Sequence, residues 1–249
     1  MAILDRVLRR APRAEIPVEE QRMSVIEHLE ALRRMLIVIL VAWAITTVAA
    51  FFVSGEVVSW LVSRAGLGHA IYLGPGSFVL TRLQVALYIG LIAAAPIVIQ
   101  QIWWFVSPGL HRHERRLTLP LIVASIFFFG LGVAAAVYAL PLYIRVLNSF
   151  APPNVTYLAD VSELVGFILI MVIGFGIVFE LPVVLIVLGA LRIISSRWLY
   201  KNRVWWFLGL GLASNFLTPG VDPLTPLIVF IPLYFFFEAS ALILKLSGR

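Results

Sequence analysis

The sequence contains no cysteine and few charged residues. Without cysteine the chain can form neither a disulfide framework nor a thiolate metal site. Only 13% of its 249 residues are charged, whereas 61% are hydrophobic. A soluble domain of this length does not have that balance, so the composition predicts a membrane protein that crosses the bilayer several times.

Enzyme motifs are absent as well. His111, His113 and Glu114 do not form a His-Glu-x-x-His zinc motif, and neither a nucleophile elbow nor a phosphate-binding glycine loop is present. We therefore expect no enzyme activity, no cofactor and no metal. The net charge is +6, and the basic residues that produce it lie between long apolar runs. Membrane topology therefore explains this charge better than nucleic-acid binding does.

Six apolar segments predict an all-α protein with six transmembrane helices. The fifth segment has 14 residues and would cover about 21 Å, which is less than the roughly 30 Å of bilayer hydrocarbon. Prolines within four segments predict bent helices, and bent and short helices together predict a concave cup. Between the first two segments we expect an irregular loop with a short helix at 56–63. The segments are Met35–Val53, Phe78–Val106, Leu117–Phe150, Leu164–Ala190, Val204–Leu217 and Leu224–Leu244.

Lysine and arginine predict the orientation. If residues 1–23 form a flexible cytoplasmic tail, then 16 of the 19 basic residues lie on the cytoplasmic side. This bias predicts that both termini are cytoplasmic. Residues 24–249 would then form a single six-span domain.

Acidic residues in unusual places are the candidate site residues. Glu180 is the only charge in the fourth segment, and an acid inside a membrane span is a functional candidate by default. Pro182 predicts a bend beside it. The alternative role for Glu180 is a protonated, purely structural hydrogen bond. Glu114 lies among three arginines and either pairs with them or accepts an incoming guanidinium. Glu238 lies in the sixth segment and either acts there or reaches the inner interface beside Lys245.

Several motifs in order resemble the TatC family, the multispanning receptor subunit of the twin-arginine protein translocase. The resemblance covers about residues 24–245. The motifs are Glu27-His-Leu-Glu-Ala-Leu-Arg33, Gln101-Ile-Trp-Trp-Phe-Val-Ser-Pro-Gly-Leu110, His113-Glu-Arg-Arg116, Phe175-Gly-Ile-Val-Phe-Glu-Leu-Pro182, Leu217-Thr-Pro-Gly-Val-Asp-Pro223 and Ile231-Pro-Leu-Tyr-Phe-Phe-Phe-Glu238.

The resemblance implies a receptor in the cytoplasmic (inner) membrane. Such a receptor would bind the twin-arginine signal peptides of folded cargo and recruit single-span TatA/TatB-type subunits, with transport driven by the proton-motive force. It would also be a homo-oligomer within a larger complex.

The resemblance also implies roles for individual residues. It assigns signal-peptide binding to Glu30, Arg33, Phe105 and Glu114, an intramembrane polar site to Glu180, and partner-subunit contact to Thr218, Asp222 and Glu238. The family usually has glutamate where this chain has Ala31, so Glu30 would be a substitute that is rotated by about 100° on a helix.

Two other classes of function remain open from the residues alone. A proton-coupled small-solute transporter would use Glu180 and Glu238 as protonatable groups. The absence of a visible inverted repeat disfavours it, as does the expectation that neither acid has a basic partner at similar depth. A passive assembly scaffold would bind no peptide with paired arginines.

Overall fold

The computed structural model describes residues 25–66, 70–107, 118–150, 159–217 and 224–248, which are almost entirely helical. The elements in chain order are α1 (Val25–Arg64), β1 (Ala70–Ile71), α2 (Ser77–Val106), α3 (Thr118–Asn148), β2 (Ala159–Asp160), α4 (Val161–Phe179), α5 (Leu181–Ala190), α6 (Ser196–Lys201), α7 (Arg203–Leu217) and α8 (Leu224–Leu246).

Helix α1 is much longer than the first predicted segment. It has 40 residues and merges the Glu27–Arg33 motif, the first apolar segment and the predicted short helix at 56–63. The predicted loop from Ser54 is therefore wrong as far as Arg64. The stretch has no proline and a single glycine, and the hydroxyls of Ser59 and Ser63 bond to carbonyls of their own helix. Nothing in its sequence thus stops the helix before Ala65 and Gly66.

Among the described residues, five helical stretches are long and apolar enough to cross a membrane, which confirms a polytopic helical protein. Helices α2, α3 and α8 match their predicted segments closely. Helix α7 also forms where expected, but its 15 residues are too few for it to join these five. The sixth crossing, the concave shape and the sidedness of the termini stay predictions.

The fourth predicted segment is interrupted, because α4 ends at Phe179 and α5 begins at Leu181. Pro182 has no N–H to donate to the Val178 carbonyl, and just before it the Glu180 N–H donates to the Ile177 carbonyl at 3.0 Å in a tightened turn. The interruption therefore lies at the acid, beside the proline that predicted a bend there. Pro96, Pro141 and Pro232 lie inside continuous helices.

Two short strands depart from the all-α prediction. Ala70–Ile71 and Ala159–Asp160 pair in parallel, and they connect the segment after α1 to the start of α4. The Asp160 side chain also accepts a hydrogen bond from the Ser162 N–H at 3.2 Å, so it caps α4. The single aspartate ends the strand and begins the helix.

Helix α4 forms the centre of the molecule and packs against α2, α3 and α8. Glycines allow the closest approaches between helices. A Cβ on Gly132 of α3 would lie 2.5 Å from the Phe175 carbonyl oxygen of α4, and one on Gly90 of α2 would lie 2.7 Å from the Thr47 backbone of α1. Neither backbone can move aside as a flexible side chain would.

Candidate functional site

The first turns of α1 lie against the end of α2. The rings of His28 and Phe105 stack with their centroids 4.3 Å apart and an interplanar angle of 26°. We call this end of the molecule the amino-terminal rim. It joins the Glu27–Arg33 motif to Phe105, a predicted signal-peptide residue, although His28 itself was not predicted as a site residue.

Glu30 and Arg33 lie on the following turn of α1 and are exposed, whereas Ala31 is half-buried. The carboxylate of Glu30 therefore points away from the side of the helix on which Ala31 packs. Glu30 and Arg33 bring opposite charges three residues apart to an open surface. Glu114, Thr218 and Asp222 lie outside the described residues.

The second predicted site is the Glu180 carboxyl, at the junction of α4 and α5. Oε1 of Glu180 is buried and has no hydrogen-bond partner within the described ranges. The Ser125 side chain of α3 interacts with this carboxyl, although Oε1 itself is left without a hydrogen bond. The Ser125 oxygen accepts a hydrogen bond of 2.9 Å from Nε1 of Trp103. The three side chains join three helices around one half-buried acid.

Apolar side chains lie beside this polar group. Ile99 and Trp103 of α2, Ile122 of α3 and Val183 and Val187 of α5 form one buried cluster. Glu180 is ten residues from the end of α5, or about 15 Å along the axis, which is half the hydrocarbon thickness of a bilayer. The acid thus lies at membrane depth in a setting where a bare charge is costly.

Glu238 lies close to a base. Its Oε1 is 2.7 Å from Nε of Arg203, the first residue of α7, and the same Nε donates to the Tyr234 hydroxyl at 2.6 Å. The expectation that Glu238 lacks a basic partner at its depth is wrong, and its partner is Arg203 instead of Lys245. The prediction failed because Arg203 lies just outside the fifth predicted segment, whereas in the structure it begins a helix that packs on α8.

Helix α7 presents an apolar face that no described part of the chain covers. Val204, Leu208, Leu212 and Phe216 recur every four residues, and each is at least 55% exposed. This spacing puts them on one stripe of the helix. The stripe lies against lipid or against another protein.

The rim opposite to the amino-terminal rim carries a different polar group. Nε of Arg82 donates to the Ser54 hydroxyl at 3.1 Å, and the guanidinium carbon lies 5.4 Å from the centre of the Phe51 ring. Burial raises the pKa of Tyr72 in the loop nearby, Asp160 raises it further, and Arg82 opposes both. Arg82 therefore holds α1 to α2 at this end.

Within the described ranges, no three or more histidine, aspartate or glutamate side chains lie close enough together to hold a metal ion. Four partners of the predicted residues were not expected from the sequence, namely His28, Trp103, Ser125 and Arg203. A serine in the middle of an apolar segment was the available signal for Ser125, and a tryptophan near a helix end was the signal for Trp103.

Comparison with known proteins gives consistent results. A family model described as "Sec-independent protein translocase protein (TatC)" matches residues 27–232. The TatC protein of Carboxydothermus hydrogenoformans is 33% identical over 92% of this chain and 95% of its own length. The TatCy protein of Bacillus subtilis is 31% identical over 92% of this chain and 91% of its own. A crystal structure described as "Twin Arginine Translocase Receptor- TatC in DDM" superposes with a TM-score of 0.79 at 30% identity, and covers 88% of this chain and 99% of that one.

Proposed function

Because this chain belongs to the TatC family of Sec-independent protein translocase proteins, we propose that it binds twin-arginine signal peptides of folded cargo at its cytoplasmic face. The family is a non-enzymatic, membrane-spanning component of a protein translocase. That membership favours protein transport over the alternative of a small-solute transporter, and the passive scaffold is distinguished by the peptide assays below.

The contact between His28 and Phe105 supports the proposal most directly. It holds the turn of α1 that carries Glu30 and Arg33 beside the end of α2. An arginine side chain of the signal peptide would stack its guanidinium on the Phe105 ring and pair with a carboxylate, since guanidinium groups do both. Glu114 follows α2 by eight residues and is the second proposed acceptor.

The test uses purified protein and a signal peptide that carries a photo-crosslinker beside its two arginines. We expect Glu114→Ala, and more strongly Glu114→Lys, to lose crosslinking, because a lysine repels the guanidinium that the carboxylate would attract. Glu56→Ala serves as the matched control, since Glu56 is an exposed acid far along α1 from the rim.

Two further comparisons complete the test. A peptide with paired lysines should bind more weakly than one with paired arginines, because an ammonium cannot form a bidentate pair. Phe105→Leu should weaken binding of the paired-arginine peptide by removing the ring. Undiminished crosslinking in the Glu114 variants would remove Glu114 from the site, and equal binding of both peptides would contradict the receptor role.

The single-span TatA/TatB-type subunits would dock on α7 and α8, near Thr218, Asp222 and Glu238. The exposed stripe of α7 supports this site, because a short helix with one uncovered apolar face suits a partner helix. Leu212→Arg should abolish co-purification of a partner subunit. Leu40→Arg on the exposed face of α1 is the control, and an equal loss in that variant would contradict a specific site on α7.

Glu180 would act after binding, when the apolar part of the signal enters the membrane. We expect Glu180→Ala to leave twin-arginine crosslinking intact and to impair export of a folded reporter. Normal export by that variant would remove its proposed role. The proposal further includes six spans, cytoplasmic termini, a single domain from residue 24, an inner-membrane location, homo-oligomeric assembly and transport driven by the proton-motive force.

A further inference from the structure

The hydrogen bond between Trp103 and Ser125 fixes the direction in which the serine proton can point. An indole N–H only donates, so the Ser125 oxygen is the acceptor and its own proton must go elsewhere. Serines in helices usually donate to a carbonyl three or four residues back, as Ser63, Ser214 and Ser240 do here. Ser125 makes no such bond within the described ranges, and the group that faces its hydroxyl is the Glu180 carboxyl.

Burial keeps solvent away from the hydrogen bond between Trp103 and Ser125. Ser125 is fully buried and Trp103 is 7% exposed, so solvent does not compete for either group. Glu180 lies where α4 gives way to α5, and its Oε1 is a buried polar atom that no described group satisfies.

We infer that Trp103 and Ser125 are positioning residues for Glu180. The indole N–H of Trp103 turns the Ser125 hydroxyl away from its own helix and toward the carboxyl, so that this carboxyl has a fixed orientation for a segment that enters the membrane. The inference rests on the proposed function of Glu180. Without the indole N–H, Ser125 would donate to its own helix as the other serines do, and the carboxyl would lose its partner.

The test is infrared spectroscopy of the full chain in lipid nanodiscs. The carboxyl band of Glu180 is taken as the difference between the native protein and Glu180→Gln. We expect this band to shift in Ser125→Ala, to shift in the same direction but less in Trp103→Phe, and to stay in place in Ser125→Thr. The threonine keeps the hydroxyl, so it separates loss of the bond from general disturbance of α3.

Two matched controls are available in the same chain. Trp43→Phe removes an indole N–H that donates to the Leu87 carbonyl at 2.9 Å, and Ser240→Ala removes a fully buried hydroxyl that bonds its own helix. Neither should move the Glu180 band. If Ser125→Ala does not fold, Trp103→Phe and Ser125→Thr still decide the question. An unmoved band in Trp103→Phe, or a shift of equal size in Trp43→Phe, would overturn the inference.

Export of a folded reporter distinguishes this inference from the function on which it rests. We expect the export rate to fall about two- to tenfold in Ser125→Ala and to recover in Ser125→Thr, the range expected for one lost hydrogen bond. A shifted band with unchanged export would uphold the positioning and overturn the proposed role of Glu180. An unmoved band would overturn the positioning, whatever the export rate.

Discussion

Helices α1 and α4 look alike as sequence but occupy opposite environments. Their most apolar stretches have the same mean hydropathy, yet 6% of that stretch is buried in α1 and 61% in the stretch that includes α4 and α5. The residue types therefore show that both helices are apolar, but they do not show which helix lies at the centre of the molecule. In a bilayer both lipid and protein are apolar surroundings, so hydropathy cannot separate them.

The largest test of this comparison is leucine truncation. Leu169→Ala in α4 removes a side chain that is 1% exposed and should lower the free energy of unfolding by about 2–5 kcal/mol through the cavity it leaves. Leu40→Ala in α1 removes one that is 56% exposed and should cost less than about 1 kcal/mol. Both are measured by reversible unfolding in detergent micelles. Equal losses would mean that α1 is packed as fully as α4.

A glycine pair sharpens the comparison at the surface of α4. Gly132→Ala places a methyl group against the Phe175 carbonyl and should destabilise the protein by about 1–3 kcal/mol, because α3 must move away from α4. Gly130, two residues earlier on the same helix, has nothing within 4 Å, so Gly130→Ala should be neutral or stabilising. The same unfolding assay compares the two variants. A neutral Gly132→Ala would show that the helices are not in close contact.

Helix α1 should depend on directional bonds more than on burial. Trp43→Phe removes the indole N–H that bonds the Leu87 carbonyl of α2, and we expect a loss of about 0.5–1.5 kcal/mol. Trp60→Phe, on the same helix and 49% exposed, is the control and should change little. Hydrogen exchange of the α1 amides would show whether the helix loosens from α2. No difference between the two variants would contradict a stabilising role for this bond.

The smallest effect should come from the ion pair between α7 and α8. The side chains of Arg203 and Glu238 are 54% and 28% exposed, so solvent screens their attraction. A double-mutant cycle of Arg203→Gln and Glu238→Gln should give a coupling of about 0.2–1 kcal/mol that weakens as salt is added. A larger coupling that salt does not change would place the pair in a drier environment than its exposure indicates.

The sequence predicted the helical membrane class, the family and most segment boundaries, because long apolar runs and prolines are local signals. It failed where the determinant was not local. The helix past Ser54 was missed because glycines after residue 65 made the whole stretch read as a loop. Arg203 was assigned to a loop because its partners, Tyr234 and Glu238, come more than 30 residues later.

The site shows the same division. Glu180 stands out from its neighbours in the chain, so a single segment was enough to find it. Ser125 and Trp103 are ordinary residues in their own segments, and their significance depends on three helices meeting. The partners of this half-buried acid therefore cannot be identified until the packing of the helices is known.

The unbroken length of α1 has a mechanical consequence. At 1.5 Å per residue its 40 residues reach about 60 Å, twice the hydrocarbon thickness of a bilayer. Even at a steep tilt of about 40° the bilayer would enclose only about 26 of them. The rest extend beyond the hydrocarbon, so α1 is one continuous rod in which His28 lies near the first residue and Ser54 lies ten residues before the last. A displacement of α1 at the Phe105 contact would be transmitted to the Arg82 contact, because the helix is unbroken between them.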